Sequence, residues 1–146
     1  MGVIATVDII VPNILEHNEY EIVFIERGKD PFKGKYALPG GHVDDKESVE
    51  NAAMREAKEE TSLKVRLGEI LGVYSAFGRD PRGHTIGTVF IAESFEGRLK
   101  AKTDAAEAKW MNVNQLKRDD LAFDHYKIVR DYQRWLSQKG TYWSTK

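Results

Sequence analysis

Apolar and polar residues alternate along the first stretch of the chain. Val3, Ala5, Val7, Ile9 and Val11 share one parity, and Pro12 follows them. A period of two belongs to a strand with one buried face, and a proline removes a ladder donor, so a strand is predicted over 3–11. Tyr20 to Glu26 (YEIVFIE) predicts a second strand. The polar connection from Asn13 to Glu19 suits an antiparallel pairing of the two. Gly28, Pro31 and Gly34 mark a loop over 27–35. Tyr36-Ala37-Leu38 is a short apolar piece halted by Pro39-Gly40-Gly41.

The period then changes. Ser48 suits a helix N-cap, with Glu50 in the first turn. Val49, Ala52, Ala53 and Ala57 form a narrow apolar stripe at helical spacing, which predicts a helix to about Glu60. Residues 67–77 are β-rich but interrupted by Gly68 and Gly72, so a bent or bulged strand is expected. A turn over 78–84 (GRDPRGH), a long strand over 85–95 and a short one over 107–112 follow. Asn114 or Asp120 opens short helical turns. Tyr126, Ile128, Val129, Tyr132 and Trp135 place a last helix over 124–138, stopped by Gly140.

No repeat, low-complexity tract or linker interrupts this order. The reading is one α/β domain over 1–146, a mixed sheet with at least two helices packed on it. The glycines lack the G-x-G-x-x-G spacing of a dinucleotide fold.

Composition narrows the function. A hydrophobic fraction of 41% over 146 residues supplies one core. The formal net charge of -1 leaves no overall field to hold nucleic acid or an anionic membrane. A phosphate-bearing ligand therefore needs local cations. With no cysteine, disulfides, thiolate nucleophiles and zinc-thiolate sites are excluded, which fits a cytoplasmic protein. No apolar run approaches the roughly 20 residues that cross a bilayer, and the N-terminus does not read as a signal peptide.

The strongest chemical signal is Arg55-Glu56-Ala57-Lys58-Glu59-Glu60. Glu56, Glu59 and Glu60 stand three and four residues apart, on neighbouring parts of one helix surface. Like charges repel at that spacing, and the helix dipole disfavours anions in the last turns. A solvated charged face is the bland reading. The preceding Gly-Gly turn, the Ala-rich buried face and the absence of a basic residue after Lys58 in the last turn favour another. Crowded carboxylates supply the oxygen ligands that a hard divalent cation takes, Mg²⁺ first.

At this point the sequence resembles the Nudix hydrolase superfamily, whose box reads G-x5-E-x7-R-E-U-x-E-E-x-G-U, with U a bulky aliphatic residue. Gly41, Glu47, Arg55, Glu56, Glu59, Glu60 and Leu63 match it in order. Ala57 stands where a bulky aliphatic is usual, and Ser62 replaces the last glycine, where positive φ is easier for glycine. The resemblance implies a Nudix-type α/β/α sandwich. Glu56, Glu59 and Glu60, with the carbonyl of Gly40, would bind Mg²⁺ or Mn²⁺, and Arg55 would orient Glu47. The general base is then a helix glutamate, Glu59 or Glu56, or a later acid, Asp104 or Glu107.

Two further segments, F-G-R-D-P-R-G-H (77–84) and L-A-F-D-H (121–125), resemble ADP-ribose pyrophosphatases within that superfamily. They point to Arg79 and Arg82 as grips for phosphate or ribose, and to Phe123 and His125 as walls of a base or ribose pocket. Each has an ordinary alternative: exposed turn arginines, a core phenylalanine, a hydrogen-bonded structural histidine. The expected reaction is cleavage of ADP-ribose to AMP and ribose 5-phosphate. Hydrolysis of ordinary or oxidised nucleoside triphosphates and non-catalytic ADP-ribose binding are the rivals. The resemblance also implies a homodimer, for which an exposed segment from Gly2 to Val11 is the expected seam.

Overall fold

A computed structural model describes residues 2–100 and 105–146. In chain order the strands are β1 (Ile4–Ile10), β2 (Pro12–Ile14), β3 (Tyr20–Arg27), β4 (Tyr36–Ala37) and β5 (Gly40–His42). Helix α1 (Val49–Thr61) follows, then β6 (Lys64–Tyr74), β7 (Thr85–Glu96) and β8 (Ala105–Met111). Two 3-10 turns, Val113–Gln115 and Arg118–Asp120, lead into α2 (His125–Ser137), and β9 (Tyr142–Trp143) comes last. One sheet has the order β5-β1-β7-β6-β9, and a second joins β2, β3 and β4, with β8 on the other side of β3.

The expected pairing of the first two long strands is corrected. β1 lies between β5, antiparallel, and β7, parallel. It is β2, starting at Pro12, that pairs with β3. β1 ends just before Pro12, as expected, and the chain there passes into the other sheet. This also places β1 inside a sheet, so the segment from Gly2 to Val11 is not a free edge. Likewise the glycines after Pro39 do not stop the chain but form β5. A β-carbon on Gly40 would lie 2.1 Å from the Val7 carbonyl oxygen, so only glycine permits this approach.

Apolar runs, not strict alternation, dominate the inner strands. Ile9, Ile10 and Val11 are all fully buried, as are Ile22, Val23 and Phe24. Such runs bury both faces of a sheet. Ile10, Ile22 and Phe24 enter a core with Ile128, Val129 and Tyr132 of α2. Val7, Ile9, Val11 and Val23 enter another with Ala52, Ala53 and Ala57 of α1. The result is an α/β/α sandwich. The small alanines let α1 lie close to the sheet, so Ala57 in place of a larger aliphatic leaves a fully buried position.

Local signals set the ends of α1. The Ser48 hydroxyl oxygen accepts from Asn51 N–H at 3.1 Å. At the other end Ser62 adopts the left-handed conformation, φ 67°, in the place where the box has glycine. Its hydroxyl donates to the Lys100 carbonyl at 3.0 Å. β6 has register shifts at Arg66/Leu67, Leu67/Glu69 and Ile70/Gly72, in keeping with the interruptions at Gly68 and Gly72.

Candidate active site

β5 and α1 bring the box residues together. Glu60 Oε1 accepts from the Gly40 N–H at 2.8 Å. Glu56 folds back onto Gly41, where a β-carbon would stand 2.6 Å from its Oε2. Arg55 holds Glu47 with two hydrogen bonds, 2.8 and 2.9 Å, and also reaches Glu56 at 2.6 Å, Glu59 at 3.3 Å and the His42 carbonyl at 3.0 Å. One guanidinium thus ties the β5 backbone, the loop acid and the helix acids into a single cluster.

The acids are unequal. Burial pushes the Glu60 carboxyl up to about 8, against the hydrogen bond from Gly40, and the charges of Glu56, Asp8 and Glu59 add to the rise. Burial also raises Glu56, with Arg55 opposing. The Arg55 guanidinium holds Glu47 down at about 2. Glu59 is the member most open to solvent.

Glu56, Glu59 and Glu60 line a cleft of about 580 Å³. Arg27, Arg82 and Phe123 line it as well. Phe123 is half-buried with φ 54°. The guanidinium carbons of Arg27 and Arg82 lie 4.9 and 5.6 Å from its ring centre. Burial and the charge of Arg82 lower the Arg27 pKa. Phe123 is therefore a cleft wall with cations beside it, not a core side chain.

The other expected substrate contacts divide. Arg82 is half exposed and forms an ion pair with Asp80 of its own turn. Arg79 is committed elsewhere: Nε and Nη2 each donate to Asp124 at 2.9 Å, and Nη1 donates to Thr85 Oγ1 at 2.9 Å. It lines the cleft, yet its main office is to fasten the 78–84 turn to the start of α2. His125 is buried, and its Nδ1 accepts from Leu38 N–H at 2.9 Å. That bond leaves the ring proton on Nε2, 3.6 Å from Asp8 Oδ2.

Glu107 does not enter the cleft. It stands opposite Glu26 in the β3–β8 pairing, is exposed, and pairs with Lys109 at 3.4 Å. The antiparallel register puts it on an outer sheet position. Asp104 lies outside the described residues. Tyr74 is fully buried and donates to Asp131 at 2.8 Å.

Thr6, Asp8 and Arg27 are among the cleft residues that the sequence did not single out. Asp8 carried a usable signal. A single carboxylate inside V-D-I-I is a polar group destined for burial, and such groups need a reason.

The family model described as NUDIX domain matches residues 6–132. The chain belongs to the NUDIX family. Among its relatives, the ADP-ribose pyrophosphatase of Methanocaldococcus jannaschii is 50% identical over 125 residues, which cover 86% of this NUDIX chain and 72% of the relative. The bifunctional NMN adenylyltransferase/ADP ribose pyrophosphatase of Francisella tularensis, crystallised with AMP and a Mn ion, superimposes with a TM-score of 0.77 at 26% identity. The match covers 95% of this chain but 42% of that one. The NUDIX domain of Shewanella oneidensis NrtR, in complex with ADP ribose, gives a TM-score of 0.83 over 93% of this chain and 90% of the domain. At 24% identity that likeness shows the NUDIX fold alone.

Proposed function

We propose that this NUDIX protein hydrolyses the diphosphate bond of ADP-ribose to AMP and ribose 5-phosphate, with Mg²⁺ or Mn²⁺ held by Glu56, Glu59 and Glu60. The observation that carries the reading is the pressing of Glu56 and Glu60 onto Gly41 and Gly40 in a cleft that cationic and aromatic side chains also line. The 50% identical ADP-ribose pyrophosphatase supports the choice of substrate.

The donor set fits a hard divalent ion. It offers carboxylate oxygens only, two of them buried against glycines, with burial and mutual repulsion raising Glu60. Among the described residues no three acids already converge on one point. Glu59, the most exposed and linked to Arg55 at 3.3 Å, is the acid with most room to turn inward. Such an ion supplies charge to polarise the phosphoryl oxygen and acidify a water.

The chain's own residues do the rest. Arg55 and Glu47 fix the rotamers of the helix acids and the position of β5. Arg27 and Arg82 balance phosphate charge, and Phe123 presents a ring face for the base. Glu59 and Glu56 are the acids placed to accept a proton from water. The same reading includes a cytoplasmic setting and a homodimer. Exposed Ile70, Val73, Ile86 and Trp143 on β6, β7 and β9 support the dimer, and a sedimentation mass of one 16.6 kDa chain overturns it.

The deciding test is incubation with ADP-ribose and Mg²⁺ or Mn²⁺, with products resolved by chromatography. AMP and ribose 5-phosphate are expected. Glu60→Gln should cost more than the roughly 10–100-fold typical of an outer-shell loss. Release of pyrophosphate from nucleoside triphosphates, with no AMP from ADP-ribose, would replace this reading by the triphosphate one.

A further inference from the structure

We propose that Thr6 and Asp8 bind the hydroxyls of the sugar joined beyond the diphosphate, and so select a ribosyl ester over one that lacks the sugar. The inference rests on the diphosphate reading above and adds to it the residues that recognise the second half of the substrate.

Thr6 and Asp8 are two apart on β1, so their side chains leave the same face of the strand, and both line the cleft. Among the described residues Thr6 Oγ1 is the buried side-chain polar atom that has no hydrogen-bond partner. An orphaned hydroxyl costs stability until something pairs with it. It packs where a β-carbon on Gly87 would come within 2.9 Å, so a rotation about χ1 is needed to turn it to the cleft.

Asp8 is a second polar group buried on that face. It is 7% exposed, and among the described residues its ion-pair contact is His125 Nε2 at 3.6 Å, outside hydrogen-bonding range. The other ring nitrogen is held by Leu38, so His125 is fixed and does not close that gap. A buried carboxylate is costly unless it accepts hydrogen bonds, and this one offers about four acceptor sites.

A carboxylate only accepts, whereas a threonine hydroxyl donates or accepts. A vicinal diol, whose hydroxyls do both, satisfies the two together. A nucleobase has a flat π-face, which Phe123 meets; a pentose has none and needs polar partners. Position agrees with chemistry. Asp8 is the cross-strand partner of Gly40, whose N–H is bound to Glu60. The pair therefore sits beside the acids that flank the diphosphate, within reach of the next sugar.

The test is equilibrium binding by calorimetry of ADP-ribose and of the methyl ester of ADP, which keeps the diphosphate and lacks the sugar. The wild-type protein should prefer ADP-ribose. Asp8→Asn should shrink the ratio of the two dissociation constants by about 10-fold or more, and Thr6→Val by about 2–10-fold, while Thr6→Ser keeps it. Melting curves establish that each variant is folded. A ratio that stays at the wild-type value in Asp8→Asn and Thr6→Val overturns the inference, and so does a wild-type protein with no preference. If ADP-ribose is preferred and the variants lose that preference, yet no AMP forms with metal, the inference stands and the proposed reaction falls.

Discussion

Arg55 grips Glu47 through two parallel hydrogen bonds of 2.8 and 2.9 Å while the same guanidinium touches Glu56 and Glu59. The planar fork, not the charge alone, makes this possible. Arg55→Lys keeps the charge and loses the fork. It should lower kcat on ADP-ribose by about 10–100-fold, the usual cost of losing a group that orients metal ligands, with a smaller change in KM. Steady-state kinetics at saturating metal checks this; an unchanged kcat removes Arg55 from the machinery.

The same pair sets a pH dependence of folding. Glu47 is held at about 2, below its ordinary value of 4.5. A carboxyl depressed on folding stabilises the native state above its unfolded pKa, and that contribution is lost as pH falls through the folded one. The window is thus from about 4.5 down to about 2. Melting temperatures of wild type and Glu47→Gln should converge as the pH is lowered across it and stand apart at neutral pH. Parallel curves would show the pair to be inert.

The helix and its box were legible in the sequence because their signals are local. Ser48 caps the turn that its own hydroxyl reaches, and the acids lie within one helical surface. The sheet was less legible because pairing is non-local. Nothing near Val3 to Val11 says that β7, some eighty residues on, will be its parallel neighbour, so β1 was paired with the wrong strand. Part of the cleft wall was missed for the same reason: Thr6 and Asp8 on β1, Arg27 on β3 of the other sheet, Phe123 and Glu60 come to one cleft only through the fold. Arg79 was found, but its tie to Asp124 was not legible, since that partner is 45 residues away.

That partnership carries a stability prediction. The Arg79 side chain is 6% exposed and its three bonds end on Asp124 and Thr85. Arg79→Met leaves Asp124 without its counter-ion and should cost about 3 kcal/mol in urea unfolding, in the range for one member of a buried pair. Arg82→Ala, at an exposed pair, should cost under about 1 kcal/mol and act on KM instead. Equal losses for the two would contradict the division of labour between them.

Ser62 tests the end of α1. With φ 67° it occupies backbone space that a β-branched residue resists. Ser62→Val should destabilise the fold by about 1–2 kcal/mol, whereas Ser62→Gly should stay within about 0.5 kcal/mol, because relief of strain offsets the added freedom of the unfolded chain. A valine variant as stable as wild type would refute the conformational argument.

Divalent binding has a readout apart from turnover. Mg²⁺ at about a hundred times its dissociation constant should add about 2.7 kcal/mol to the stability of wild type. Glu56→Gln and Glu60→Gln should show little of that gain in the same melting experiment. A full gain in both would move the ion elsewhere.

Gly41 leaves an empty place that the carboxylate of Glu56 fills. The two positions are therefore one unit of change. A mutation that adds even a methyl group at 41 evicts the acid, while a chain that has already shortened residue 56 is free to accept bulk there. A descendant that abandons catalysis would show both substitutions, and restoring the glutamate alone would not bring the reaction back.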